Sequence, residues 1–452
     1  MAVRVLERVE RTRAYADLSL HNAMMRADLS SADRALCTEL VYGTLRWRGR
    51  IDFALSQFLD RDFDRLEAGV ASALRLGAYQ LLFTDRIPES AAVDQAVRCV
   101  RSMGAERATG LVNAVLRRLA AARDALPIPD LADDPEAHLV HGLSLPPWIA
   151  RLWIEQFGPE QAEKLARTSN ASPPLCVRVN RTRSDRDALL SELRERFPEV
   201  ERCRLAEGGL TLGRKGNPGH DPAFLAGLYT VQDEASQLVV QMLDPRPGDR
   251  VLDTCAAPGT KATAIAERVG EDGEVVALDR HPRRLALVGR DARRLGLANL
   301  RTIERDASRS LMDLVEKTDG ASELDGGPFD RVLVDAPCSG LGTLRRNPDA
   351  RWRVQPEDTL ELADLQRRIL GRGASVLRVG GRLVYSTCTL VPDENERVVA
   401  DFLSDAPAFR RVGADELPAS LAPLLDADAQ LRCLPHLHDT DGFFAACLER
   451  VE

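Results

Sequence analysis

The feature that most constrains the fold is an alternation of short apolar segments with amphipathic ones from about residue 236 to residue 452. The apolar segments have the composition of buried strands, and the segments between them have the spacing of helices. The candidate strands are VLDTC, EVVALD, RTIERD, RVLVDAP and GRLVYST. Strands that alternate with helices are typical of a doubly wound parallel sheet. The sequence therefore predicts an α/β, Rossmann-like domain over 236–452.

The preceding sequence follows two other patterns. From residue 1 to about 125, apolar residues recur at steps of three and four, which predicts a helical bundle. The segment DALPIPDLADDPEAH breaks this pattern and predicts a linker. Helices near LPPWIARLWIEQF and RDALLSELRERF, with strands such as PLCVRVN, indicate a small α/β unit. Because 452 residues are more than one hydrophobic core usually organises, we expect three domains, at 1–140, 144–235 and 236–452.

Composition excludes several classes of protein. No apolar run approaches the roughly 20 residues that a membrane span needs, and the opening MAVRVLERVERTR lacks the apolar stretch of a signal peptide. We therefore expect a cytoplasmic protein with no membrane partner. The nine cysteines include no CxxC pair, which fits neither a disulfide framework nor a zinc site, so no metal is expected.

The formal charge of −8 argues against an indiscriminate nucleic-acid binder, which is usually basic. Two arginine clusters, RVNRTRSDR (178–186) and RRNPDARWR (345–353), could still form a basic face on an acidic body. Such charge runs are more often solvated surface, so they are secondary indications of RNA binding.

The segment RVLDTCAAPGTKATAIAERV (250–269) predicts a strand, a turn of small residues and a helix. Ala256, Ala257 and Gly259 let the backbone approach a ligand, and amides at a helix start attract a negative group. The dinucleotide fingerprint GxGxxG is absent, and a simple tight turn remains an alternative. Lys261 stands in this turn although the chain has only four lysines among 61 basic residues, which suggests a local requirement or chance.

Acidic residues end three of the candidate strands. Asp279 comes 20 residues after Gly259, where a carboxylate typically accepts hydrogen bonds from ribose hydroxyls. Asp306 closes the third strand and Asp335 the fourth. Each alone would be an ordinary helix cap. Together, at the edge where open α/β sheets bind ligands, they favour a nucleoside-containing cofactor with little phosphate.

Two cysteines follow the last two candidate strands. Cys338 lies in DAPCSG and Cys388 in STCTL, so both should face the same crevice as the acidic residues. A buried cysteine is usually structural. Two cysteines at one sheet edge, beside a nucleoside cofactor, are more consistent with reactive thiols.

At these residues the sequence resembles the RsmB, Nop2 and Sun family of RNA 5-methylcytosine methyltransferases. DTCAAPGTKAT is similar to the family's cofactor loop, DAPCSG to its fourth motif and STCT to its sixth, while VQDEASQ, LRRNPDARW and DGFFAACL extend the resemblance over roughly 144–452. It implies a class I methyltransferase domain that binds S-adenosylmethionine. The implied cofactor-binding residues are Cys255, Ala256, Ala257, Pro258, Gly259, Thr260, Lys261, Asp279, Asp306 and Asp335. Thr260 departs from the family, which usually has glycine there, and this puts the turn geometry in doubt.

The two cysteines suit the chemistry that the resemblance implies. Carbon 5 of cytosine is a poor nucleophile, so a thiolate must add at carbon 6 before carbon 5 can take a methyl group. The second cysteine offers a group for the release step, and Asp335 could hydrogen-bond the edge of the base. Position alone leaves the two cysteine roles open. The resemblance implies that Cys388 attacks the base and that Cys338 assists release.

The first 140 residues resemble a NusB-type RNA-binding domain, especially in ELVYGTLRWRGRID and GLVNAVLRRL. A NusB-like bundle joined to this catalytic region implies a cytosine of small-subunit (16S) ribosomal RNA as substrate. A tRNA methyltransferase of the same family and a non-catalytic RNA-binding or antitermination factor remain alternatives. A nicotinamide dehydrogenase would share the sheet but lacks support without GxGxxG. The oligomeric state stays open.

Overall fold

The computed structural model describes residues 1–60, 63–213, 218–315 and 327–452. Backbone contacts group them into two compact units. The helical unit comprises Met1–Ala171 and Leu344–Gln355, and the catalytic unit comprises Ser172–Thr343 and Pro356–Glu452. The three domain boundaries expected from the sequence stay a prediction.

Helices build the helical unit, as the sequence predicts for residues 1 to about 125. They are α1 (Ala2–Thr12), α2 (Ala16–Met25), α3 (Ser31–Arg46), α4 (Arg48–Ser56), α5 (Ala68–Phe83), α6 (Glu89–Ser102), α7 (Thr109–Ala122), α8 (Pro135–Ala137), α9 (Pro147–Phe157), α10 (Pro159–Ser169) and, from the inserted segment, α16 (Ala350–Arg353). Helix α5 is apolar around its circumference, and its residues from Val70 to Leu81 are buried, as expected for the central helix of a bundle.

The segment Leu344–Gln355 contributes a buried arginine to the helical unit. Arg351 is fully buried, and its guanidinium donates to the carbonyls of Arg46, Ser144 and Ser169 at 3.2 Å and to Oδ1 of Asn170 at 2.8 Å. Arg345, in the same segment, is 2% exposed. The interpretation of 345–353 as a basic face is therefore wrong for both of these residues, because their charges do not reach solvent.

A small antiparallel sheet opens the catalytic unit. Its strands are β1 (Cys176–Val179), β2 (Glu201–Arg202), β3 (Gly209–Thr211) and β4 (Tyr229–Val231), in the order β2-β3-β1-β4. The helices of this region are α11 (Arg186–Leu193) and α12 (Pro222–Leu225). Helix α11 ends at Leu193, so the prediction of a helix through the last four residues of RDALLSELRERF is wrong. The expected mixture of short strands and helices is otherwise confirmed.

The large sheet contains the strands predicted from the apolar segments. These are β5 (Arg250–Asp253), β6 (Glu274–Asp279), β7 (Leu300–Glu304), β8 (Phe329–Asp335) and β9 (Leu377–Thr387), followed by β10 (Phe409–Arg411), β11 (Leu431–Cys433) and β12 (Phe443–Arg450). The order is β10-β12-β9-β8-β5-β6-β7, with β11 paired to β12. Strands β5 to β9 run parallel, whereas β10, β11 and β12 add an antiparallel edge.

Helices cover both faces of the large sheet. They are α13 (Glu234–Leu243), α14 (Thr260–Val269), α15 (Pro282–Leu295), α17 (Pro356–Ser375), α18 (Glu396–Asp405) and the short α19 (Pro435–His438). Helices α13 to α15 share one apolar core, and α17 and α18 share another. This arrangement confirms the predicted doubly wound α/β class.

The strand order reverses next to β5. The chain runs from β5 to β6 and β7 on one side, then returns to place β8 on the other side of β5. In open α/β sheets, ligands bind beyond the carboxyl ends of the strands at such a reversal. We therefore expect the turn after β5 and the loop after β8 to line a ligand site.

No helix in the described part of the chain combines the length and apolar character that crossing a bilayer requires. The cytoplasmic location stays a prediction.

Candidate active site

The turn between β5 and α14 passes so close to α15 that only glycine suits position 259. Gly259 has φ of +117°, and a Cβ atom there would lie 3.0 Å from the Cα of Val288. The preceding Ala257–Pro258 peptide bond is cis. Thr260 is the first residue of α14, where the backbone is helical and open to any residue. Threonine in place of the family's glycine therefore puts no strain on the turn.

The other residues of the predicted cofactor loop line the same turn. Ala256 and Ala257 are buried, Cys255 is half-buried and Pro258 is exposed. The amide of Ala256 donates to the carbonyl of Leu278 at 2.7 Å, which ties the turn to β6. Burial raises the pKa of the Cys255 thiol, so this cysteine stays protonated near neutral pH.

Asp279 ends β6, as predicted, and is only 6% exposed. Its Oδ1 accepts from the amide of His281 at 2.8 Å, and its Oδ2 lies 4.0 Å from Nη1 of Arg284, beyond hydrogen-bond range. A buried carboxylate at a strand end, with one oxygen that accepts no hydrogen bond from the described residues, fits a pair of ribose hydroxyls. The geometry of the site thus suits a nucleoside cofactor.

Asp306 is farther from the sheet than predicted. Strand β7 ends at Glu304, so Asp306 lies two residues beyond it in the following turn. Its Oδ1 accepts from the backbone amide and hydroxyl of Ser308 at 3.0 and 2.7 Å. The hydrogen bond from the Ser308 hydroxyl lowers the pKa of this carboxyl group. Its place in cofactor binding stays a prediction.

A buried lysine in the first turn of α14 contacts the carboxyl end of β8. Lys261 donates to Oδ2 of Asp335 at 2.8 Å and lies 4.9 Å from the ring centre of Phe443. Oδ1 of Asp335 accepts from the Ser386 hydroxyl at 2.8 Å. Burial would lower the pKa of Lys261, but the adjacent Asp335 carboxylate outweighs it and the pKa is raised. Lys261 is therefore a fixed positive charge in the crevice.

A fourth acidic residue, Asp253, which was not among the predicted site residues, ends β5. It is 1% exposed, its Oδ2 has no hydrogen-bond partner among the described residues, and burial raises its pKa to about 7. Asp335 adds to the shift and Lys261 opposes it. The signal was present in the sequence, because Asp253 ends its apolar segment just as Asp279 and Asp335 end theirs.

The two predicted reactive cysteines meet at the sheet edge. Strands β8 and β9 pair in parallel with Asp335 opposite Ser386, which brings the loops after them together. Cys338 and Cys388 are half-buried free thiols whose sulfur atoms are 3.3 Å apart. This distance suits a hydrogen bond and exceeds the roughly 2.05 Å of a disulfide. The shared hydrogen bond raises the pKa of Cys338.

A buried carboxyl group, Glu394, supports the Cys338 loop. Its Oε2 accepts from the amide of Ser339 at 2.8 Å and from Nε2 of Gln366 at 3.0 Å. The hydroxyl of Tyr385 donates to the Glu394 carbonyl at 2.5 Å, and burial raises the pKa of the carboxyl group. No local pattern marks Glu394 in the sequence, because its partners come from α17 and β9.

Three family models match the chain. A model described as 16S rRNA methyltransferase RsmB/F matches residues 240–449, a NusB family model matches 1–121, and a ferredoxin-like domain model of RsmF/B-like methyltransferases matches 145–217.

Similar proteins match nearly the whole chain. The probable ribosomal RNA small subunit methyltransferase B of Bacillus subtilis is 36% identical over 452 residues, 100% of this chain and 98% of the relative. The ribosomal RNA small subunit methyltransferase B of Pseudomonas putida is 36% identical over 450 residues, with 100% and 98% covered. The crystal structure of PH0851 superposes with a TM-score of 0.81 at 26% identity, covering 99% of this chain and 97% of that one.

Proposed function

The chain belongs to the RsmB/F family of 16S rRNA methyltransferases, and we propose that it methylates carbon 5 of a cytosine through a covalent bond to Cys388. It is an S-adenosylmethionine-dependent RNA methyltransferase. When bound, this cofactor supplies an electrophilic methyl group. The observation that carries the proposal is the 3.3 Å approach of the Cys338 and Cys388 sulfur atoms at the carboxyl edge of the sheet.

Nearby charges favour Cys388 as the nucleophile. The Lys261 ammonium interacts with the Cys388 sulfur, and this attraction contributes to the raised pKa of the lysine. The Glu394 carboxyl group disfavours a negative charge on the other sulfur, Cys338. The hydrogen bond with Cys388 and burial also raise the pKa of the Cys338 thiol, so Cys338 is poorly suited to attack and Cys388 is the proposed nucleophile.

Attack changes the state of the second cysteine. When the Cys388 sulfur bonds to carbon 6, its negative charge passes into the base and no longer attracts the proton of Cys338. Cys338 keeps its proton, and water accepts the proton that leaves carbon 5 after methylation. Loss of the carbon 5 proton drives cleavage of the sulfur–carbon bond. The protonated Cys338 then donates to the departing Cys388 thiolate, which restores the starting pair and releases one proton overall.

We infer that Asp335 recognises the base as well as holding Lys261. Both of its oxygens already accept one hydrogen bond, from Lys261 and Ser386. Each carboxylate oxygen has a second acceptor position, so Asp335 can also accept from the exocyclic amine of cytosine.

Ribosomal RNA is the substrate class that family membership supports, ahead of tRNA. The NusB match to residues 1–121 supports a contribution of the helical unit to RNA affinity. A non-catalytic antitermination factor would not need the Lys261–Asp335 pair or the paired thiols. We take the cytoplasm as the site of action.

Alanine variants of the two cysteines test the mechanism. Each full-length variant is incubated with small-subunit ribosomal RNA and labelled S-adenosylmethionine and run on a denaturing gel. Cys388→Ala removes the attacking sulfur, so we expect neither methyl transfer nor an adduct. Cys338→Ala permits attack and methylation but impairs release, so a slow-migrating protein–RNA band should accumulate. Cys99→Ala, a half-buried free thiol of the helical unit, is the matched control and should behave as the native protein.

The pattern of bands decides between assignments. An adduct with Cys338→Ala alone supports the proposal, and an adduct with Cys388→Ala alone reverses the two roles. Adducts with neither variant leave the release role of Cys338 unsupported. Adducts with both variants refute a single dedicated nucleophile.

A further inference from the structure

A cavity separate from the cysteine pair lies between the small antiparallel sheet and helix α14, within the catalytic unit. Its volume is about 670 Å³, in the range of pockets that hold small ligands or parts of larger ones. The arginines that line it are Arg178, Arg181, Arg186 and Arg268, and the carboxylates are Asp185, Glu207 and Glu267. Three of the arginines belong to the 178–186 cluster that the sequence singles out.

The carboxylates do not neutralise the centre of this cavity. Glu267 is buried and paired with Arg178 at 2.7 Å. Asp185 accepts from the amides of Asp187 and Ala188 at the start of α11. Glu207 is exposed at the rim. Each acidic group is therefore committed to another partner or to solvent.

Two arginines remain without a carboxylate partner in the described ranges. Arg268 donates to the carbonyl of Val240 at 3.0 Å and forms no ion pair there, and Arg181 is exposed and likewise forms none. Burial, together with the positive charges of Arg181 and Arg178, lowers the pKa of Arg268 to about 10, although the Glu267 and Asp244 carboxylates oppose this shift. Guanidinium groups crowded in this way are stabilised by a bound anion.

We propose that Arg181 and Arg268 bind a backbone phosphate of the substrate RNA in this cavity. The proposal rests on the proposed function, since it takes RNA as the substrate. Guanidinium groups match phosphate oxygens in geometry as well as charge. Arg268 lies eight residues after Thr260 along α14, which is about 12 Å of helix. The bound phosphate would thus lie beside α14, beyond the cofactor turn.

Arg178 connects this cavity to the cofactor turn. Its guanidinium donates to the carbonyl of Thr260 at 2.6 Å, to Oγ1 of Thr263 at 3.2 Å and to Glu267 at 2.7 Å. These acceptors are spread along α14 from its first residue. Arg178 therefore fixes the helix against the small sheet, and it is unsuitable for a binding test because its loss would disturb both.

The salt dependence of RNA binding tests the proposal. Full-length native protein, Arg181→Gln, Arg268→Gln and Arg194→Gln are compared by filter binding to small-subunit ribosomal RNA over a range of potassium chloride. Arg194 is exposed, follows α11 in the same region and does not line the cavity, so it is the matched charge control. Arg181→Gln is the primary variant because an exposed side chain can change without risk to folding.

We expect each cavity variant to lose about tenfold in RNA affinity and to reduce the slope of log affinity against log salt by about 0.7, the value for one phosphate on a single strand. Arg194→Gln should leave both nearly unchanged. Inorganic phosphate at constant ionic strength should weaken RNA binding by the native protein more than by Arg181→Gln.

Cavity variants that match Arg194→Gln in affinity and slope would overturn the proposal. So would inorganic phosphate that binds in the cavity without competing with RNA, which would indicate a free-anion site. Failure of the native protein to bind ribosomal RNA at all would instead contradict the proposed function.

Discussion

Replacement of Asp279 by alanine should weaken S-adenosylmethionine binding at least tenfold. The carboxylate is 6% exposed, and its Oδ2 accepts no hydrogen bond from the described residues, only a 4.0 Å ion pair with Arg284, so it can accept from a ribose hydroxyl pair. A hydrogen bond to a charged group contributes about 1.5–3 kcal/mol, and each 1.4 kcal/mol is a tenfold change in affinity. The expected loss is therefore roughly 10- to 150-fold. Asp279→Asn keeps the acceptor for the His281 amide, so its cofactor affinity should lie between those of the native protein and Asp279→Ala.

Isothermal titration calorimetry of the native protein and the variants measures this loss. Glu274→Ala is the matched control, because Glu274 starts the same strand and lies five residues away, about 16 Å along β6. It should bind the cofactor as the native protein does. Unchanged affinity in Asp279→Ala, or an equal loss in Glu274→Ala, would refute the placement of the ribose at the end of β6.

Three further variants test the packing around the site and within the helical unit. The pKa of Asp253 is raised to about 7 in the folded protein, whereas the same carboxyl group in the unfolded chain loses its proton above about pH 4. The bound proton therefore stabilises the folded state at low pH, and this stabilisation is lost as the pH rises toward 7. Asp253→Asn should flatten that decline in urea unfolding between pH 4 and 7, and an unchanged slope would contradict the raised pKa. Arg351→Ala removes a donor from four acceptors, of which the Ser144 and Ser169 carbonyls are buried, and should lower the free energy of unfolding by at least about 3 kcal/mol, whereas a loss under 1 kcal/mol would show that the guanidinium is not needed there. Gly259→Ala forces a side chain into φ of +117° and toward Val288, which should cost about 1–3 kcal/mol and weaken cofactor binding, and retention of native stability and affinity would contradict the close approach.

The sequence predicts strands β5 to β9 well because each is an apolar segment bounded by turn or helix residues. It does not predict the antiparallel edge. The segment DGFFAACL is a continuous apolar run buried against β9, and such a run carries no mark of strand direction. Parallel and antiparallel strands that are buried on both faces have the same composition.

The sequence also does not predict the role of residues whose partners are distant along the chain. In the sequence, Glu394 is one charged residue among others, and only the contacts with α17 and β9 in the folded chain bury it. Arg345 and Arg351 have the pattern of a solvated cluster, yet both are buried in the helical unit. By contrast, the sequence brings Cys338 and Cys388 together correctly, because both follow neighbouring parallel strands.

The central claim is that the sulfur of Cys388 bonds to carbon 6 of a cytosine, and a trapped adduct tests it most directly. Small-subunit ribosomal RNA containing 5-fluorocytosine permits attack and methylation, but fluorine cannot leave as the carbon 5 proton does, so the covalent bond should persist. The native protein is incubated with this RNA and S-adenosylmethionine, digested with nuclease and protease, and examined by mass spectrometry. We predict a methylated fluorocytidine nucleotide attached to the peptide that contains Cys388. A nucleotide on the peptide that contains Cys338, or no adduct with RNA that the protein binds, would contradict the proposed mechanism.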